Sequence, residues 1–422
     1  MSTEPSPPAV AVPPTALIGV RAIAPDLARG AMLLLIALAN APWYLWATDA
    51  RVSGSAHPAG ASGLDAVAQT ISLVAIDGRT YPMFAFLFGY GIWQLYSRQI
   101  AAGVSRREAR RLLRRRHWWM LAFGLVHAAL LWGGDIVGAY GLAGLVLTWI
   151  FLDRKDTTLQ VWSVVLGGFL VIGALLAAVG RIVFGDSGAG DVESVDGLDL
   201  GVQQTDYLQS IPARIEFWAL ATPAQALLGL TVPIAILLAL LAARHRVLEN
   251  PREHLTLLRV AAVIGLVVGW GFGAVAAADD LGAFGSGSEV GPALAEAQVA
   301  AGLLCGIGYV AVFGLVAARV ERRVSAGRIA SALQAVGKRS LSSYLAQSVI
   351  MAPVLSAWGF GLGAVLTSGS MALFASATWA VTVGFAVVLE RHGKRGPAEW
   401  LLRRLAYPAT PARARRPAAS TT

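Results

Sequence analysis

The sequence predicts an all-α fold, a polytopic transmembrane helical bundle of about ten spans with both termini cytoplasmic. Three observations carry this. Of 422 residues, 56% are hydrophobic and only 14% charged, where soluble domains carry about 25% charged residues. Apolar runs near the ~20 residues needed to cross a bilayer recur along the whole chain. The charge is segregated: Ser97–Arg116 holds eight arginines against one glutamate, the stretch from Arg391 onward holds eight basic residues, and Gly185–Ser210 holds six acids and no Lys or Arg. That segregation follows the positive-inside pattern of membrane loops. The formal charge of +9 therefore points to anionic lipid beside basic juxtamembrane segments rather than to nucleic acid.

The elements follow in order. Residues 1–20, "MSTEPSPPAVAVPPTALIGV", are proline-rich with no basic n-region, so they read as a disordered cytoplasmic tail and not a cleavable signal. One membrane domain spans 21–407, and a disordered basic tail fills 408–422. Gly30–Trp46 is the first span. Leu64–Asp77 is mildly amphipathic and suits an interfacial or re-entrant segment. Thr80–Tyr96 is the second span. His117–Gly133 and Ile136–Leu152 form a tight hairpin closed by "GGD", where glycine tolerates the turn dihedrals. Leu159–Phe184, Phe217–Ala242, Arg259–Ala278 and Gln298–Val320 follow. "ERRVSAGRIASALQAVGKRS" is basic and part helical, and Leu341–Leu362 and Met371–Glu390 complete the ten. No clear internal repeat is visible, which weighs against a transporter built from inverted halves.

Ionisable side chains within spans are costly and mark candidate sites. His127 sits about mid-membrane, where a histidine is suited to proton exchange near neutral pH. Asp135 lies eight residues on, roughly 12 Å along a straight helix, too far for a direct hydrogen bond. It suits either an acceptor-orienting role or a cap on the next helix. Together His127 and Asp135 are the candidate catalytic residues. Asp26 and Arg29 share a helix face, and an arginine fork there suits a diphosphate or carboxylate; a simple ion pair is the plainer alternative. Asp77 and Arg79 flank Gly78 before a span. Tyr140 lies in the fourth span, and Tyr344 and Gln347 lie three apart in another. With Asn40 these complete the candidate substrate-binding set. The remaining histidines, His57, His117, His245, His254 and His392, fall in loops or at span ends. No HxH or HExxH spacing, nucleotide loop or G-x-S-x-G elbow occurs, so no metal site or bound cofactor is expected. The single cysteine, Cys305, allows no disulfide within one chain.

Five segments, in this order, resemble the YeiB-like family of bacterial inner-membrane proteins, catalogued as a domain of unknown function: "DLARGAMLLLIALAN", "FAFLFGYGI", "LAFGLVHAALLWGGDIVGAYGLAGL", "VGKRSLSSYLAQSVI" and "RGPAEWLLRRLAY". The resemblance spans about Arg21 to Tyr407. It implies an inner-membrane location and a distant similarity to membrane-embedded acyltransferases, which move an acyl group from a cytoplasmic thioester to a sugar or lipid. In one branch of those enzymes an arginine is followed eleven positions later by a histidine. Here Arg29 is followed by Asn40, and asparagine is no general base at neutral pH. Three readings therefore stay open. One is an acyltransferase using acyl-CoA and an acceptor hydroxyl or amine, with His127 as base. The second is a transporter or lipid-binding protein without catalysis. The third is a docking protein using its basic loops. The expected partners are membrane lipids, acyl-CoA and a second copy of the chain, without nucleic acid.

Overall fold

A computed structural model describes residues 22–48, 51, 55–184, 200–284, 290–321 and 327–407. The two tails expected to be disordered, and most of the acidic stretch 185–210, lie outside these residues. Every regular element described is helical; the one β feature among the described residues is an isolated bridge between Arg51 and Pro58.

Helix α1 (Ile23–Asn40) runs into a short 3-10 turn at Ala41–Tyr44. Helices α2 (Gly63–Ala75) and α3 (Thr80–Ala101) meet at a 40° break. Gly78 makes that break, because its φ of +72° lies where side chains with a Cβ are strained. The amphipathic segment read from sequence is thus the first half of a broken or re-entrant span. Helix α4 (Arg106–Leu130) starts in a capping box, with Ser105 accepting from the Glu108 amide and Glu108 reaching back to the Ser105 amide. The Ser105 hydroxyl, which donates to the Glu108 carboxylate at 2.7 Å, and then the Ser105 amide hold that carboxyl below its ordinary pKa. Helices α5 (Val137–Phe151) and α6 (Asp156–Phe184) follow.

Helix α7 (Tyr207–Pro223) passes through a π turn at Ala224–Leu228 into α8 (Thr231–Arg244), with a 48° bend. The chain continues through α9 (Leu255–Asp280), α10 (Val290–Val320), α11 (Arg328–Gly337), α12 (Ser340–Leu355), α13 (Ser368–Arg391) and α14 (Pro397–Ala406).

The hydrophobic core joins α1, α3, α5 and α8. Helix α8 is buried almost all round, from Val232 to Leu240. Helix α6 is the opposite: it is apolar throughout yet exposes Val164 (74%), Phe169 (63%) and Leu176 (67%). An apolar helix left uncovered by protein belongs against lipid. Among the described residues, five helices are long and apolar enough to cross a membrane, and up to seven if each bent pair counts as one span. The sequence count of ten is higher for a physical reason. Helix α4 begins in its arginine cluster, and α5 and α12 have 15 and 16 residues, or about 22–24 Å at ~1.5 Å per residue, short of a ~30 Å core.

Candidate functional sites in two back-to-back cavities

Two cavities flank the middle of the bundle, at opposite ends of α1. The first, about 650 Å³, takes Asp26 and Arg29 from the start of that helix; the second, about 640 Å³, takes Ile36 and Asn40 from its end. Both volumes match small-molecule sites.

Cavity 1 gathers cations from chain segments far apart in sequence: Arg29, Arg98, Arg116, Lys338, Arg339, Lys394, Arg395 and Arg403. Three carboxylates share its wall, Asp26, Glu390 and Glu399. Each has work of its own. Asp26 Oδ1 lies 3.7 Å from Arg29. Glu390 binds Lys338 at 2.6 Å and Arg339 at 2.7 Å. Glu399 accepts from the Leu341 amide at 2.8 Å, the Ser342 amide at 3.1 Å and the Ser342 hydroxyl. Arg29 also donates to Leu87 O at 2.7 Å. The cations outnumber the acids, so the cavity has a surplus of positive charge suited to a polyanion.

Among the described residues, no Lys or Arg lines cavity 2. Its titratable lining is Asp77, Asp135, Asp279 and His57, with Asn40, Gln225 and Gln298 as amides and Trp43, Tyr81, Trp132 and Phe217 as aromatic walls. His57 is only 3% exposed. Its Nε2 lies 2.8 Å from Asp77 Oδ2, and Asp77 Oδ1 accepts from the Ser72 hydroxyl at 3.0 Å. A carboxylate only accepts, so His57 Nε2 donates to it, and in the neutral ring Nδ1 then holds the lone pair. That Nδ1 is buried without a hydrogen-bond partner.

The sequence-derived residues divide between these sites. Asp26, Arg29 and Tyr344 line cavity 1, and Asn40, Asp77 and Asp135 line cavity 2. His127, Arg79, Tyr140 and Gln347 line neither. Arg79 is fully buried, donating to Asp77 O, to Gln298 Oε1 at 3.0 Å and to Gly269 O at 2.8 Å. Tyr140 donates to Tyr81 O at 2.8 Å, and Gln347 to Leu33 O at 3.0 Å.

One expectation needs correcting. Helical spacing forbids a bond between His127 and Asp135, yet His127 Nδ1 lies 2.8 Å from Asp135 Oδ1. Helix α4 ends at Leu130, and the turn that follows folds Asp135 back onto His127. Asp135 Oδ2 meanwhile accepts from the Gly138 amide at 2.6 Å, which tethers the first turn of α5. Gly124 makes this closure feasible, since a Cβ there would overlap Asp135 Oδ2 and the Gly138 backbone.

A thin septum separates the cavities. Ile136 and Tyr81 face cavity 2, while Val137 and Phe84 face cavity 1. Tyr344 spans the divide, its hydroxyl accepting from the Ile136 amide at 3.3 Å and its ring 5.3 Å from His127.

Sequence reasoning passed over His57, Asp279, Gln225 and Gln298. No periodicity could have found His57, because its partner lies beyond the whole of α2. Among the described residues, no group of three or more His, Cys, Asp or Glu could hold a metal ion.

Apolar helices exposed to lipid, broken spans and buried polar cavities define a polytopic helical membrane protein. Sequence comparison shows what it is similar to. Residues 242–409 match the family described as "Protein of unknown function (DUF418)". The chain is 24% identical over 367 residues to the uncharacterized protein YxaH of Bacillus subtilis, covering 82% of this chain and 83% of the relative. It is 24% identical over 349 residues to the uncharacterized protein YeiB of Escherichia coli, covering 76% and 80%. With the five ordered motifs, these matches make the chain similar to YeiB-like proteins over most of its length.

Proposed function

We propose that the protein is a membrane acyltransferase with its donor and acceptor in separate cavities. The observation that supports this best is a cation-rich cavity set back to back with one lined by a buried histidine. The donor is a polyanionic acyl thioester of the acyl-CoA class, its phosphates in cavity 1 among Arg29, Arg116 and Arg395. The acceptor is a hydroxyl or amine on a lipid or glycan, in cavity 2. On this reading the basic end faces the cytoplasm, and the protein lies in the inner membrane of the cell.

The reaction needs no other reagent. His57 Nδ1 takes a proton from the acceptor as its oxygen or nitrogen bonds to the thioester carbonyl carbon. The C–S bond then breaks, and the departing thiolate recovers the proton. Asp77 holds the ring in the required tautomer and offsets the imidazolium charge, the role a carboxylate plays behind a catalytic histidine. His127 and Asp135 act as a positioning pair: His127 fixes the carboxylate, and Asp135 shapes the wall beside the septum. Tyr344 and Tyr140 belong to the barrier through which the acyl group must pass. Asn40 is then a hydrogen-bonding group for the acceptor, and its lack of basicity matters little once His57 supplies the base.

The test is release of free CoA by the purified protein in native lipid, supplied with a panel of acyl-CoAs and a lipid and glycan extract. Turnover that survives in His127→Ala but is lost in His57→Gln supports the assignment. Turnover that His57→Gln leaves intact refutes His57 as base. A second reading, passage or binding without chemistry, draws on the closed septum between two open cavities. It predicts substrate flux without CoA release.

A further inference from the structure

The charge and shape of cavity 2 restrict what it holds. Three carboxylates line it, and among the described residues no Lys or Arg side chain does. Asp77 is engaged by His57 and Ser72, and Asp135 by His127 and the Gly138 amide. The Asp279 carboxylate meets no cation among the described residues, and Asp280 follows it at the same end of α9. Two arginines lie close by and both are engaged by the wall itself: Arg51 donates to Pro42 O and Ala56 O, and two of the three hydrogen bonds of Arg79 go to Asp77 O and Gln298 Oε1. The Nδ1 of His57 is buried and unpartnered, and in the neutral ring it is an acceptor. Trp43, Tyr81 and Trp132 supply aromatic faces, with Trp132 backed by Tyr44 at a ring separation of 4.4 Å.

An unpaired carboxylate, a lone-pair acceptor and aromatic faces share one preference. Each favours a positively charged N–H donor, through ion pairing, hydrogen bonding and cation–π attraction. A neutral polyol would leave Asp279 uncompensated in a partly desolvated cavity, and a phosphate or carboxylate would be repelled.

We infer that cavity 2 recognises a primary ammonium group, with Asp279 as its counter-ion and His57 Nδ1 as the acceptor of one of its hydrogens. This deepens the acyl-transfer reading by naming the acceptor as an amine. Within that reaction the ammonium gives one proton to His57 and the second after the nitrogen–carbonyl bond forms, with the thiolate and solvent as the final proton carriers. An amino sugar and an ethanolamine headgroup share this chemistry.

The test needs no acyl donor, so it stands or falls apart from the transfer reaction. Binding is measured by calorimetry on the full chain in nanodiscs, with matched pairs of probes: glucosamine against glucose, and ethanolamine against ethylene glycol. The inference predicts at least a tenfold preference for the amine in one pair, and the pair that shows it identifies a sugar or a lipid headgroup as the source. Asp279→Asn removes the preference and Asp279→Glu keeps it, with both variants melting as the parent does. Equal affinity within both pairs, no binding of either amine, or a preference that persists in Asp279→Asn overturns the inference. If the preference holds while no acyl-CoA is turned over, the amine site survives and the transfer reading falls.

Discussion

In the neutral imidazole of His57, donation from Nε2 to Asp77 leaves the Nδ1 lone pair as the ring atom able to take a proton. On the proposed reaction, His57→Gln lowers turnover by about 10²–10⁴-fold, the usual contribution of a general base, with little change in the affinity for CoA. Stopped-flow detection of free CoA checks this. His127→Gln is milder, because that ring supports Asp135 from behind the cavity wall. Gly124→Ala tests the hairpin. Its new Cβ overlaps Asp135 and Gly138, and overpacking of this kind costs about 1–3 kcal/mol, read as a lowered melting temperature in detergent. At this scale the sequence was half legible. The residues in apolar runs, His127 and Asp135, stood out because a charge in lipid is conspicuous. Their contact did not, because it depends on where α4 stops, and spacing along an ideal helix carries no information about a terminus. His57 sat in a Gly- and Ser-rich loop and gave no signal until α2 folded it over Asp77.

Among the elements, α14 is the clearest gain from the structure. The motif "RGPAEWLLRRLAY" reads from sequence as the close of the membrane domain, beyond its last span. It folds as an amphipathic helix that closes one side of cavity 1, with Leu402 and Ala406 buried and Trp400 outward. Glu399 ties it down by accepting from two amides at the start of α12, where a carboxylate also complements the helix dipole. Gly396 is needed beside it, since a Cβ there would meet both Glu399 and Ser342. Glu399→Ala therefore loosens α14 and raises amide exchange across 397–407 before the rest of the chain opens. Hydrogen exchange by mass spectrometry reads this; uniform protection would contradict it. Helices α1, α9, α10 and α13 were legible because each is a long apolar run. The broken pairs were harder: α2–α3 turns on one left-handed glycine and α7–α8 on a π turn, features of backbone geometry that hydropathy does not encode.

For the whole molecule, the surplus of cations in cavity 1 is a collective property of α1, α3, α4 and the segments around α11–α14. Charge segregation announced it, but the convergence of Arg29, Arg116 and Arg395 on one cavity required the fold. Arg395→Glu should weaken binding of a CoA-class polyanion more than tenfold and flatten its dependence on salt, since screened attraction is what it removes; equilibrium dialysis at two ionic strengths measures both. The central claim is that two cavities with different chemistry, opening toward opposite ends of the bundle, serve one reaction. Sealed proteoliposomes of uniform orientation test it most directly. Isotope-labelled acyl-CoA is supplied only at the basic face and the acceptor amine only at the other. The account predicts labelled amide at the acceptor face and free CoA at the donor face in equal amounts, both lost in His57→Gln. Product that forms only when donor and acceptor share a side, or flux of the amine with no CoA released, would contradict it.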